Sequence, residues 1–102
     1  MNDNTPFNQK MATRQETEVF IQIQKAVLEM APKTIRFTYT KDDESSSFRH
    51  VEPYEVIGGD RAQLVCHDLD KDQTRRFFLD RMSDLQVTDT PFNARYPIRV
   101  AL

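Results

Sequence analysis

The apolar positions of this chain change period once, from helical spacing to strict alternation, and the change divides it into two kinds of structure. Residues 14–30 contain no proline or glycine, and Val19, Phe20, Ile23, Ala26, Val27 and Met30 recur at three- and four-residue spacings. That spacing gathers them on one face of a helix, whose start is marked by Thr13 and Glu16 at capping-box separation. Ile21 and Leu28 fall on the opposite side of the same helix. Either they are isolated surface apolar residues, which are ordinary, or they form a second stripe that meets another subunit or a neighbouring domain.

After Pro32 the alternation begins. Residues 34–40 are rich in β-branched and aromatic side chains and read as a strand; 41–46 read as a solvated loop. Strands are predicted over 48–53 and 54–57 around a Glu52-Pro53 break, then a turn at Gly58-Gly59-Asp60 and a short apolar strand over 62–67. A polar turn at 68–73 leads to an arginine-bearing strand over 74–80. Residues 83–89 and the alternating Tyr96, Ile98 and Val100 supply two more extended pieces. One helix followed by five or more short strands predicts a mainly β, α+β domain: a helix packed on a small, strongly bent antiparallel sheet or partly open barrel. Residues 1–12, polar and interrupted by Pro6, read as a flexible tail, and 13–102 as one domain with its barrel over 34–90 and an extended segment over 91–102.

Composition narrows the function. At 102 residues the chain is long enough for one modest core. A net charge of -2 and a pI near 5.6 exclude a surface coated with cations for non-specific DNA binding, so any nucleic-acid contact must be a local patch. A single cysteine, Cys66, excludes an internal disulfide framework and a cysteine-rich zinc site. No apolar run approaches the roughly 20 residues that span a bilayer, and the first residues carry no basic and apolar leader pattern. The expectation is a cytoplasmic protein that does not enter membranes.

The unusual feature is the strand over 74–80. With period two, Arg75, Phe77, Leu79 and Arg81 point one way while Arg76, Phe78 and Asp80 point the other. Guanidinium groups on an apolar face must pair with an acid, reach the rim, or line a site that accepts anions. Tyr39 shares parity with Ile35 and Phe37, and Arg49 with Val51, so polar groups continue an apolar face on three strands. If those strands are neighbours, the polar ends converge. The competing reading pairs Arg49 and Arg81 with the acids nearest in sequence, Glu52 and Asp80. Arg36, Arg61, Arg76 and Arg99 read as solvated charges.

Catalytic patterns fail on spacing. Cys66 and His67 are strand neighbours and so face opposite ways, which denies a nucleophile its base. His50 and His67 lack metal-ligand spacing with each other or with Cys66. Asp68, Asp70 and Asp72 open like a calcium loop, but Gln73 stands where glycine is needed and Leu79 where glutamate is. With only Gly58 and Gly59, no phosphate-cradling glycine loop exists. The chain is expected to be no enzyme and to need no cofactor or metal.

Several pieces in order resemble the WYL domain family, bacterial and phage regulatory modules of Sm-like barrel fold. They are Lys25-Ala26-Val27 near the helix end, Ile35-Arg36-Phe37-Thr38-Tyr39, Arg49-His50-Val51-Glu52-Pro53-Tyr54, and Leu64-Val65-Cys66-His67-Asp68. The pattern closes with the run from Arg75 to Leu85 and Phe92, so that the resemblance covers about residues 20–92. At the position of the tripeptide that names the family stands Ala62-Gln63-Leu64, which keeps only the leucine. Family members usually carry an N-terminal DNA-binding domain, and the residues ahead of this helix are too few to form one, so the expectation is a free-standing module or a fragment.

The resemblance implies ligand sensing, with nucleotides or single-stranded nucleic acid as the favoured class. The matching residues here are Tyr39, Arg49, Arg75 and Arg81, with Ser47 and His50 as neighbours. Arginine's planar fork suits phosphate, and tyrosine adds a stacking surface and a hydroxyl. The alternative is a protein-interaction or homodimer module in which the Ile21/Leu28 stripe serves assembly and the arginines are structural.

Overall fold

The computed structural model describes residues 7–8, 12–28 and 31–100. Helix α1 (Arg14–Val27) starts where the capping box predicts: the Thr13 hydroxyl accepts the Glu16 N–H at 3.1 Å and the Glu16 carboxylate accepts the Thr13 N–H at 2.9 Å. Glu16 is buried because its second oxygen accepts the N–H of Ala62 at 2.8 Å, which ties the helix start to the sheet. Val19, Phe20, Ile23 and Ala26 face the core as expected. Met30 lies outside the described residues, as does most of the expected tail. Phe7, from that stretch, stacks on Phe20 with ring centroids 4.4 Å apart.

Five strands follow: β1 (Lys33–Thr40), β2 (Ser46–Ile57), β3 (Gln63–Asp68), β4 (Gln73–Phe78) and β5 (Met82–Pro91). They form one antiparallel sheet in the order β4-β3-β2-β1-β5. The architecture is the predicted helix on five antiparallel strands, with a sheet that is not closed. The two strands predicted around Glu52-Pro53 are one, because a bulge between Pro53 and Glu55 absorbs the proline without ending the ladder.

The sheet is curled. In a flat sheet β1 and β4 lie three strand spacings apart, about 14 Å. Here the Tyr39 ring of β1 lies 4.8 Å from the Phe77 ring of β4, and the Tyr39 hydroxyl accepts the Phe78 N–H at 3.1 Å. The arginine-bearing strand stops at Phe78. A 3-10 turn (Leu79–Arg81) then carries the chain across to β5, and the Leu79 N–H bonds back to the Ala62 carbonyl at 3.0 Å. Leu79 thereby stays buried in the core while Asp80 and Arg81 leave the strand parity expected of them.

The alternating Tyr96, Ile98 and Val100 make no full strand. That segment has a single parallel bridge, Glu55 with Arg99, beside an Arg99 N–H to Tyr54 carbonyl bond of 2.7 Å. Val100 is buried and Tyr96 exposed. The segment is held instead by polar contacts: the Tyr54 hydroxyl accepts the Arg95 N–H at 2.9 Å and donates to Glu52 at 2.7 Å, and Arg95 reaches the same Glu52 oxygen at 3.0 Å.

Candidate ligand-binding face

Register decides which side chains share the concave face. Phe37 lies opposite Arg49, Tyr39 opposite Ser47, Leu64 opposite Phe77, and Cys66 opposite Arg75. Tyr39, Ser47, Arg49 and Arg75 therefore stand on the side that carries the core, as parity predicts for the tyrosine and the two arginines. Phe77 is the hub. Its ring centroid lies 5.3 Å from that of Phe37 and 4.8 Å from that of Tyr39, with the guanidinium carbons of Arg49 and Arg75 at 5.4 and 5.5 Å. Both cations thus meet the electron-rich ring surface.

Arg81 is not on this face, because the strand ends before it. It lies in a neighbouring hollow of about 410 Å³ lined by Tyr39, Lys41, Asp42, Asp43 and Phe78. Tyr39 forms a wall of that hollow and also touches Phe77. His50 faces away: its ring bonds the Thr34 hydroxyl at 2.8 Å, and Thr34 in turn bonds Thr88 at 2.6 Å. It lines a different hollow with Arg36, Thr38, Phe48 and Gln86, where Phe48 is 86% exposed. Consecutive in β2, His50 and Arg49 alternate in side-chain direction, although Arg49 also borders this hollow.

The charge pairing differs from both nearest-neighbour expectations. Arg49 is buried and pairs with Asp68 at 3.3 Å, not with Glu52, which projects from the other side of β2 to Arg95. Asp68 is fully buried, and its other oxygen accepts the N–H groups of Asp70 and Lys71 at 3.0 and 3.2 Å. Arg81 pairs with Asp42 and donates to the Thr40 carbonyl at 3.1 Å, while Asp80 turns to Arg61. Arg61 is no free surface charge: it grips Asp80 through two bonds of 2.9 and 2.7 Å and stacks 3.7 Å above Phe78. Nothing local announces that pair, whose members are 19 positions apart.

Among the described residues Arg75 has no carboxylate within ion-pair distance; its guanidinium lies over the Phe77 ring. The face and the hollow beside it also hold unused polar capacity. The Ser47 hydroxyl and the Nε atoms of Arg49 and Arg81 are buried with no hydrogen-bond partner among the described residues. Such atoms are costly unless something satisfies them. A planar, half-exposed guanidinium on an aromatic ring beside spare donors suits an oxyanion.

Cys66 and His67 diverge as their parity requires. The thiol is buried, which pushes its pKa up, with Asp68 adding to the rise, so it is a poor nucleophile. His67 reaches Asp72 at 2.9 Å. Burial first, and then the bond to Glu52, push the Tyr54 hydroxyl up to about 12. No group of three or more His, Cys, Asp or Glu among the described residues is placed to hold a metal, and no helix among them is long and apolar enough to cross a membrane.

The family model described as WYL domain matches residues 18–87. The fold is similar to that of proteasome accessory factor B/C (PafBC) of Arthrobacter aurescens, with a TM-score of 0.70 and 20% sequence identity over 87% of this chain. At that identity the likeness is one of fold. The match spans 15% of the PafBC chain.

Two stability experiments follow from the pairing. Urea unfolding of Arg49→Met, Asp68→Asn and the double variant should give a coupling of about 0.5–3 kcal/mol, the range for residues in one network; additive losses would show that the two groups do not depend on each other. The Arg61 hydrogen bonds, ahead of its charge, hold the Asp80 carboxyl below its usual range, against a smaller opposing effect of burial. A lowered folded-state pKa contributes stability above the unfolded carboxylate value of about 4 and loses it as pH falls through the folded value. The deficit of Asp80→Asn relative to the parent should therefore shrink as pH drops below about 4, and a constant deficit would contradict the assignment.

Proposed function

The chain belongs to the WYL domain family, and on that premise we propose that it is a non-enzymatic regulatory module of the cytoplasm whose concave face binds a phosphate-bearing ligand. The ligand class is a nucleotide or a short single strand of nucleic acid. The observation that carries this reading is Arg75: a half-exposed cation on the Phe77 ring, without a carboxylate partner among the described residues, beside Tyr39 and Arg49. Phosphate supplies the charge that Arg75 lacks and acceptors for nearby donors, and a base can stack on exposed aromatic surface.

Arg49 and Arg81 take part differently. Arg49 is already neutralised by Asp68 and serves as a hydrogen-bond donor fixed in place. Arg81 borders the adjoining hollow and extends the cationic track past Tyr39. Binding regulates only if the ligand distinguishes two states, so the output is a change in how the helix or a sheet edge contacts a partner protein. In PafBC the similar fold is one part of a longer chain.

A second reading is favoured by the helix surface. Ile21 and Leu28 are 40% and 56% exposed on the side away from the core, consistent with an assembly stripe for a homodimer or another protein.

Fluorescence anisotropy with labelled single-stranded oligonucleotides at low salt tests the first reading. Affinity should fall as salt rises, and Arg75→Ala should weaken it about tenfold or more, the worth of a charge-assisted hydrogen bond. Arg76→Ala, on the opposite side of β4, should have little effect; an equal loss there, or no binding at all, would refute a defined site. For the second reading, solution mass of the parent should exceed that of the Ile21→Glu/Leu28→Glu variant, and equal masses would remove it.

A further inference from the structure

We propose that the loop between β1 and β2 is a built-in plug, in which the Asp42 carboxylate holds, on Arg81, the place that a ligand phosphate takes. This rests on the phosphate-binding reading and names how that site is regulated. The loop keeps its shape without Asp42. The Lys41 N–H bonds the Ser45 carbonyl at 2.9 Å, the Glu44 N–H bonds the Lys41 carbonyl at 2.9 Å, and the Asp43 carboxylate accepts the Ser45 N–H and hydroxyl at 2.9 and 2.6 Å. Asp42 takes no part in these bonds; its carboxylate reaches across to Arg81.

The two partners are unequally anchored. The Arg81 side chain is 29% exposed and fastened by its bond to the Thr40 carbonyl, whereas the Asp42 side chain is 90% exposed. Arg81 is therefore the fixed receptor and Asp42 the part that leaves. An ion pair with one partner almost wholly in water is weak and easily exchanged for a better anion. The hollow around it has room for one, at about 410 Å³, and places Lys41 and the Tyr39 ring at its wall. Arg81 Nε is buried with no acceptor among the described residues, so Asp42 leaves part of the fork unused. A phosphate carries more acceptor oxygens than that single contact employs, and so gains where the carboxylate does not.

A plug of this kind lowers apparent affinity by the fraction of molecules whose site is free. Displacing it also releases the loop, giving the ligand an effect on the surface at the β1–β2 turn. The structural cost of exchange is confined to a segment whose own hydrogen bonds survive.

The experiment measures anisotropy of a fluorescein-labelled, terminally phosphorylated oligothymidylate with the full chain and four variants. Asp42→Asn should bind about two- to fivefold tighter than the parent, the range set by exposed ion pairs. Glu44→Gln, which removes the same charge from the same loop, should change little, and the gain should vanish when Asp42→Asn is combined with Arg81→Ala relative to Arg81→Ala alone. An unchanged affinity in Asp42→Asn, or an equal gain in Glu44→Gln or in the Arg81→Ala background, overturns the plug and leaves the phosphate-binding reading standing. Binding by none of the chains removes both.

Discussion

A carboxylate with no access to water holds the concave face together. Asp68 closes the turn between β3 and β4 by accepting two backbone N–H groups with one oxygen, and with the other it fixes Arg49. Buried charge is tolerated only when paired and hydrogen-bonded, and removing one partner of such a pair costs about 3–5 kcal/mol. The pair therefore constrains more than itself. It sets the height of the β3–β4 turn, which sets where Phe77 falls in β4, and it holds Arg49 against that ring. Tyr39 then packs on Phe77 and takes the Phe78 N–H, so the curl of the sheet and the polarity of its inner face have one origin.

The three arginines of this region represent three degrees of compensation. Arg49 is neutralised by a buried acid, Arg81 by an acid in water, and Arg75 by the face of a ring. The buried Arg49 is the one compensated by a buried acid, because desolvation raises the cost of an unpaired charge as burial increases. It also assigns roles. A buried pair is rigid and serves position, a solvated pair is exchangeable, and a cation on an aromatic ring remains available to an anion. This local cluster of cations stands in a chain whose net charge is -2.

A second polar network performs a different task on the other side of β2. Glu52, Tyr54 and Arg95 fasten residues 92–100 against the sheet where no ladder exists to do so. The Tyr54 ring lies 5.7 Å from Phe92 and 5.1 Å from Tyr96, so aromatic packing and hydrogen bonding converge on one residue. Glu52 and Tyr54, two positions apart in β2, share a side by ordinary alternation, and the bulge shifts parity only beyond them.

Local rules in the sequence determined the helix start, its buried face, the approximate places of the five strands though not all their ends, and the side of the sheet taken by Tyr39, Arg49, Arg75 and Arg76. Capping and alternation act over two to four residues, and no distant contact overrode them at those positions. Tertiary structure alone decided which acid meets which arginine. Asp68, Asp42 and Asp80 reach their partners across 19, 39 and 19 positions, and those distances in sequence become short only once the sheet curls and β4 stops at Phe78. A strand pattern continued through Arg81 would place that residue on the same side of the sheet as Arg75; the 3-10 turn instead carries it into the adjoining hollow because Leu79 must stay in the core while the chain crosses to β5. Periodicity reports which way a side chain points, whereas charge pairing depends on what the folded chain brings opposite to it.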